Sequence, residues 1–306
     1  MQSNRHKDYY HLLELQSLMP GWKRKNPNVW PHPKSKFKPA IWRFNEAKNA
    51  LAESVKFLSP EDTERRNLLL VNPFEGNSYP TTSNLIAAYQ MVAPGESAPA
   101  HRHSPSALRV VLSASRGAVT FVNGQRIDMN EGDVIFTPNW AWHSHANEGI
   151  EPAYWVDFLD VPFVQHVEAV FFERCADTRK SMQVPPDLDP NLQYRTLGEL
   201  DRKRTDVAIQ YDPMPTIGVG AIRMEESTKR CLPRSTASSI YTVLDGNASI
   251  VFEDDGSEFT LGKGDVFALP CWTLGTIFTS AGASLLRVCD EPLLRMTGLL
   301  REEQRV

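Results

Sequence analysis

The sequence predicts a mainly β protein made of two related β modules behind an N-terminal helical arm. Three observations carry that prediction. Short apolar stretches such as Leu108-Arg-Val-Val-Leu112 and Ala118-Val-Thr-Phe-Val122 are bounded by turns at Arg116-Gly117 and Asn123-Gly124, the pattern of antiparallel hairpins. Gly132-Asp133, Pro138 and Trp140 return 132 positions later as Gly264-Asp265, Pro270 and Trp272, and Gly124 returns as Gly256. Asp160-Val-Pro162 returns as Asp290-Glu-Pro292 at an offset of 130, one small deletion away, so a whole unit is repeated rather than a single motif.

The elements follow in order. Residues 1–80 read as an arm with helices: Leu12, Leu13, Leu15 and Leu18 recur at roughly helical spacing within His6 to Leu18, and Phe44 to Leu58 is amphipathic. Between them a basic, proline-punctuated stretch runs from Lys23-Arg24-Lys25 to Lys38-Pro39; it reads as a connector or an arm lying on a neighbouring subunit rather than as an anion-binding patch. Ser59-Pro60-Glu61-Asp62 has the form of a helix start, with serine as N-cap and acids in the first turn, and it leads through Arg65-Arg66 into a strand from Asn67 to Val71. The first β module occupies 81–175 and closes with a helix from Val161 to Arg174; 176–205 is a polar, proline-bearing linker; the second module occupies 206–306.

Composition narrows the function. A formal net charge of -4 over 306 residues offers no general attraction to nucleic acid or anionic lipid, so an anionic ligand must be held by local charges. Cys175, Cys231, Cys271 and Cys289 are scattered without a CxxC pair, against a disulfide framework or a thiolate zinc site, and a reducing compartment fits. Neither an export signal nor an 18-residue apolar run is present, so a cytoplasmic protein without membrane partners is expected.

The chemistry-bearing stretch is Gly95 to Asn147. Side chains two apart on a strand share a face, so His101 and His103 aim together, as do His143 and His145, and intervening hairpins can bring both pairs to one metal. Four histidines in two such pairs are hard to explain as core residues satisfied one by one. Trp140 and Trp142 read as core aromatics, since Trp140 recurs as Trp272 in a module with no site, and Asn147 reads as satisfying backbone groups at a strand end. At offset 132 the partners of His143 and His145 are Gly275 and Ile277, and Cys231 to Ser235 contains no histidine: the second module keeps the fold and loses the ligands.

These residues resemble the cupin superfamily. Its first motif, glycine, five residues and His-x-His, is met by Gly95, His101 and His103; its second, with glycine, proline, histidine and asparagine at fixed spacing, is met by Gly132, Pro138, His143 and Asn147. The second motif selects His143 rather than His145 as a ligand, a choice that spacing leaves open. Within the superfamily the chain is similar to bicupin ring-cleaving dioxygenases, the gentisate 1,2-dioxygenases and their salicylate and 1-hydroxy-2-naphthoate relatives. The resemblance rests on Ala100-His-Arg-His-Ser-Pro-Ser-Ala-Leu-Arg109, Thr137-Pro-Asn-Trp-Ala-Trp-His-Ser-His145 and Glu64-Arg-Arg66. Ala107 and Leu108 stand where most cupins place a ligating glutamate, and loss of that acid is a trait of this family.

The resemblance implies two jelly-roll barrels, an iron(II) held by His101, His103 and His143, and insertion of O2 between the carboxyl-bearing and hydroxyl-bearing carbons of an aromatic acid, with gentisate giving maleylpyruvate. Salicylate, a substituted salicylate or 1-hydroxy-2-naphthoate is the alternative substrate, and a non-catalytic cupin binding module the alternative class. It also implies a homotetramer. His145, on the His143 face, is expected to touch substrate or the oxygen species. Arg109, six positions after His103, faces inward in an unbroken strand, where it binds the substrate carboxylate or pairs with Asp157. Asp157, Gln90 and Arg65 fall where the family has polar pocket residues.

Overall fold

The computed structural model describes residues 2–23, 29–63, 65–176, 187–203 and 205–303. Arg24, Lys25, Glu64, Arg204 and linker residues 177–186 lie outside them. The chain forms two units, 1–34 and 35–306. In the first, helix α1 (Gln2–Leu15) is followed by a single 3-10 turn at Gly21–Lys23, and Leu12, Leu15 and Leu18 are exposed.

The second unit is a paired jelly roll. Strand β1 (Ala40–Trp42), helices α2 (Phe44–Ser54) and α3 (Pro60–Thr63) and strand β2 (Arg66–Leu69) lead into the first barrel. The start of α3 follows the sequence: Ser59 Oγ accepts from the Asp62 N–H at 3.3 Å while Asp62 Oδ2 accepts from the Ser59 N–H at 2.9 Å, a reciprocal cap. The barrel proper is β3 (Ile86–Val92), β4 (Ser97–His103), β5 (Ala107–Ser113), β6 (Ala118–Val122), β7 (Gln125–Asp128), β8 (Asp133–Thr137), β9 (His143–Asn147) and β10 (Ala153–Leu159). The predicted helix from Val161 to Arg174 stops early. Helix α4 is confined to Val161–His166, and Phe172–Arg174 forms β11, which pairs with β4. Phe171 and Phe172 are exposed, so no apolar face continues the helix.

Inside the stretch read as a linker, Gln193–Arg195 forms β12 and Thr196–Lys203 forms α5. The second barrel follows: β13 (Val207–Ile209), β14 (Gly218–Met224), β15 (Thr228–Leu232), β16 (Ser239–Gly246), β17 (Ala248–Phe252), β18 (Ser257–Leu261), β19 (Val266–Leu269), β20 (Gly275–Thr279) and β21 (Ala283–Cys289), closed by α6 (Glu291–Met296). Each barrel is a six-stranded sheet facing a smaller one. The orders are β12-β8-β5-β10-β3-β2 over β11-β4-β9-β6-β7, and β1-β19-β16-β21-β14-β13 over β15-β20-β17-β18.

The barrels exchange arms. Strand β1, before the first barrel in sequence, pairs with β19 of the second, and β12, before the second, pairs with β8 of the first. The helix after each arm strand packs on a repeated Gly-Asp turn. Gly132 and Gly264 adopt φ of +80° and +83°, and a Cβ on either would strike Leu197 of α5 or Phe44 of α2, so glycine is required twice over. Asp265 then accepts from the Phe44 N–H at 2.9 Å, fixing the start of α2.

One apolar core joins the barrels: Tyr89, Val110, Val134 and Val156 share a buried cluster with Ile240, Val266, Ala268, Leu286 and Val288. The Tyr89 hydroxyl donates to the Gly264 carbonyl at 2.8 Å across that boundary. The repeated acids also have a common task. Asp160 accepts from the Ser106 N–H at 2.8 Å and Asp290 from the Ser238 N–H at 2.7 Å, each tying the last strand of its barrel to an opposite loop.

Candidate active site

Register brings the histidine pairs together. Strands β4 and β9 are antiparallel neighbours with His101 opposite His143, and the alternating burial of β9 turns His143, His145 and Asn147 inward. The rings of His101, His103 and His143 stand 4.1, 4.8 and 5.6 Å apart between centroids, and one ligand atom from each lies within 4.8 Å of the others. Among the described residues no other group of histidine, cysteine or carboxylate side chains meets that criterion.

Each ring has a backbone carbonyl at its Nδ1: Pro99 at 3.1 Å for His101, Pro105 at 2.7 Å for His103 and Ala141 at 2.9 Å for His143. A carbonyl only accepts, so Nδ1 carries the proton and every Nε2 lone pair is left free. His101 Nε2 is buried without a partner. Burial, the largest cause in each case, pushes the rings toward neutrality: His101 is lowered to about 3, with Arg65 adding to the effect, and His103 and His143 are lowered too. Three neutral imidazoles with converging lone pairs fit a divalent transition metal. Phe172 of β11 stacks on His101 at 5.5 Å.

Beside the cage is a cavity of about 240 Å³, walled by His103, His143, Arg65, Gln90, Arg109 and Asp157 together with Asn67, Leu69, Tyr79, Ile86, Ala88, Ala107, Leu159 and Val161. Register explains the wall: Asn67 faces Gln90, Ala88 faces Asp157 and Asp157 faces Arg109 across successive strands. Arg109 reaches it by a route that the parity count did not foresee. The chain turns at Ser104–Ser106 and changes sheets, so Arg109 faces inward from β5 on the opposite wall.

Arg109 is fully engaged with protein at one end. Its Nη2 is 3.2 Å from Asp157 Oδ1, its Nη1 is 2.6 Å from His145 Nδ1, and Asp157 Oδ2 accepts from Trp155 Nε1 at 2.8 Å. Burial lowers the arginine and raises the aspartic acid, and each charge partly restores the other. A guanidinium only donates, so His145 meets Arg109 with a ring lone pair, Nδ1 being the nearer nitrogen at 2.6 Å and Nε2 the farther at 3.1 Å; burial, then Arg109, holds the ring neutral. His145 is not on the cavity wall and meets it through Arg109.

Arg65 differs. It lines the cavity, burial pushes its guanidinium down from its usual value while the Asp157 charge partly restores it, and among the described residues it makes no side-chain hydrogen bond or close ion pair. Gln90 Nε2 is likewise buried and unpartnered. Arg66, by contrast, faces away: its side chain is 3 % exposed and ion-pairs with Glu96 at 2.9 Å.

Sequence reasoning missed Thr120, whose hydroxyl is 2.6 Å from His145 Nδ1; its position opposite His145 in the β6–β9 ladder was the available signal. Tyr79 arrives on a loop with no pattern to mark it. The two tryptophans are a correction. Trp140 is 39 % exposed and Trp142 half-buried, because the turn before β9 runs on the outer surface; Trp140 and Trp272 share a positive φ of 60° and 65°. Asn147 does satisfy backbone groups, bonding the Val92 and Glu151 carbonyls and the Gly149 N–H.

Two jelly rolls, one of them holding a three-histidine cage over a small cationic cavity, define the class: a bicupin with a single candidate metal centre among the described residues. Residues 88–161 match the cupin domain family. The chain is 32 % identical to gentisate 1,2-dioxygenase 1 of Aquipseudomonas alcaligenes over 97 % of its length and 96 % of that protein, and 30 % identical to 5-aminosalicylate 1,2-dioxygenase of a Comamonas species over 94 % and 87 %. Its fold superposes on a salicylate 1,2-dioxygenase from Pseudaminobacter salicylatoxidans with a TM-score of 0.84 at 28 % identity, covering 97 % of this chain and 96 % of that one. The chain belongs to the bicupin ring-cleaving dioxygenases, the family of the gentisate, salicylate and 1-hydroxy-2-naphthoate enzymes, and is an aromatic ring-cleaving dioxygenase.

Proposed function

We propose that the protein is an iron(II)-dependent dioxygenase that cleaves a single-ring aromatic hydroxy acid of the salicylate type between its carboxyl-bearing and hydroxyl-bearing carbons, with gentisate, cleaved to maleylpyruvate, as the preferred substrate. The observation that carries the reading is the half-buried, unpartnered Arg65 guanidinium beside three free imidazole lone pairs. A partly buried cation whose donors are all unused calls for an acceptor beyond the distant Asp157 charge, and a carboxylate accepts two parallel bonds from a guanidinium. The cavity, about 240 Å³, is below the ~300–1,000 Å³ usual for ligand sites, which favours one ring over two.

Iron(II) held by His101, His103 and His143 would supply open positions that bring aromatic acid and O2 together and let electron density pass between them. The remaining work falls to the chain. Arg65 fixes the carboxylate and so the orientation of the ring; Gln90 Nε2 donates to a ring oxygen. Arg109, held from behind by His145 and Asp157, presents a fixed positive charge where negative charge builds during cleavage. Ile86, Leu159 and Val161 give the wall its apolar part and exclude water there. A cytoplasmic setting and a homotetramer belong to the same proposal.

The test is oxygen uptake by protein loaded anaerobically with iron(II), with gentisate, salicylate, 5-aminosalicylate and 1-hydroxy-2-naphthoate compared. Uptake stoichiometric with loss of a single-ring acid is expected. Bound iron with no uptake on any of the four would overturn the assignment.

A further inference from the structure

We propose that Arg102, whose side chain points away from the cage, is a positioning residue: it fixes the separation of the two ligand-bearing segments and thereby the affinity of the cage for its metal. The proposal rests on the reading of His101, His103 and His143 as ligands.

Strand alternation places Arg102 on the outer face between His101 and His103. There its guanidinium carbon lies 4.4 Å from the Trp140 ring centroid and 4.6 Å from that of Trp142. Its Nε and Nη2 donate to Glu173 Oε2 at 2.9 and 2.6 Å. Every partner belongs to a segment that sets the cage. Trp142 immediately precedes His143; the Trp140 N–H donates to the His103 carbonyl at 2.8 Å; Glu173 lies on β11, whose neighbours pair with His103 and His101. A planar cation stacked on two rings and bonded to a carboxylate therefore fastens β4, β11 and the turn before β9 from behind. Fastened in this way, the imidazoles need no reordering when an ion arrives, and preorganisation of that kind appears as affinity.

The second barrel supplies an internal comparison. Arg234, 132 positions after Arg102, donates to the Trp272 carbonyl at 2.7 Å, forms a two-pronged pair with Asp254, and reaches Glu303 at 3.4 Å, and Glu303 stands 130 positions after Glu173. The arginine, the tryptophan and the acid thus recur in a barrel without a cage. What does not recur is the stacking: among the described residues no ring lies over Arg234, which meets Trp272 through its carbonyl, and Leu274 replaces Trp142, next to Gly275 in place of His143. Carboxylates and a carbonyl hold Arg234, and the arginine stacked between two rings is found where there is a ligand to hold.

The experiment is equilibrium dialysis of iron(II) against the full-length apoprotein under anaerobic conditions, at a temperature where circular dichroism shows each variant folded. Arg102→Gln is expected to raise the metal Kd by on the order of tenfold, the scale on which partners outside the ligand set act. Trp142→Leu, which copies the second barrel, should do the same, and the double variant should be no weaker than either single one. Arg102→Lys keeps the charge for Glu173 but lacks the plane, and should sit with the glutamine variant. Arg234→Gln should bind as the unaltered chain does. A Kd unchanged in Arg102→Gln, or raised equally by Arg234→Gln, would overturn the proposal, the second result because it marks an effect of general barrel stability. If the unaltered chain takes up no metal, the cage itself is refuted, and this inference with it.

Discussion

Two arginines line the cavity, and their surroundings require opposite responses to removal. Arg65 makes no side-chain hydrogen bond or close ion pair among the described residues and feels the Asp157 charge only across the cavity, so Arg65→Met deletes a desolvated charge and leaves Asp157 its Arg109 partner; its effect on stability is expected to stay within about 0.5–1 kcal/mol. What it removes is the bond to the substrate carboxylate. A buried charge-assisted contact of that kind is worth about 2–4 kcal/mol, or about 30- to 1,000-fold in kcat/KM, entering mainly through KM. Arg109→Met does the reverse. It strips the partner from Asp157, buried on the same wall, at a cost of about 3–5 kcal/mol, with the lower end expected because burial already favours the protonated acid. In a chain of this size that is a fall in Tm of about 5–8 °C. Thermal melts of both apoproteins, set beside oxygen-electrode saturation curves of the iron-loaded forms, separate the two cases. An Arg65→Met variant that melts as early as Arg109→Met while saturating at the same substrate concentration as the parent would refute the assignment of Arg65 as the carboxylate anchor.

His143→Ala should abolish metal binding in dialysis, whereas His145→Ala should retain metal and lose turnover, since it frees Arg109 rather than a coordination position; the opposite pattern would mean the ligand assignment is reversed. Burial raises Asp290 to about 6, so the folded state holds its proton more tightly than the unfolded chain, and the associated stability is greatest at low pH and lost as pH rises through 6. Relative to the parent, Asp290→Asn should therefore gain about 2 kcal/mol between pH 4.5 and pH 7.5 in urea melts, and parallel curves would rule this out. Gly132→Ala places a Cβ into Leu197 at positive φ and should cost about 2–3 kcal/mol by urea midpoint; a neutral result would mean α5 does not sit on that turn as described.

What the sequence revealed, it revealed through period. The two-residue alternation of a strand, a property of local backbone geometry, puts His101 with His103 and His143 with His145, and the offset of 132, a self-similarity of the sequence, exposes the second barrel. Contacts set by long-range topology were hidden. Nothing near Ala40–Trp42 or Gln193–Arg195 shows that each arm strand serves the barrel farther away in sequence. Arg109 was placed correctly for an incorrect reason, since its strand lies in the opposite sheet. For the tryptophans, recurrence in a barrel without a site points to core packing, and the structure shows otherwise. The recurring feature is a left-handed turn on the surface, and the ring it carries is put to use on the outer face.

The two barrels also explain how a site can be lost without the fold. Arg109 lies opposite Asp157 in the first barrel, and Tyr241 lies opposite Arg287 at the corresponding rungs of the second. Register is fixed by the residues on the other face of the same strands, Val110 and Val156 in one barrel, Thr242 and Leu286 in the other, all fully buried. Inward positions are therefore free to change as a set. Tyr241 stacks on Phe267 at 4.6 Å, Arg287 bonds Ser239 and Glu291, and Gly275 and Ile277 stand where two imidazoles would be, so the charge that faces the second interior is met within the barrel. The first interior retains what the second has satisfied: a guanidinium without a hydrogen-bond partner and an unpartnered amide in one small cavity, with three free imidazole lone pairs beside it. Unmet polar groups are costly to bury, and their concentration in one of two otherwise equivalent barrels is what marks that barrel as the one that binds.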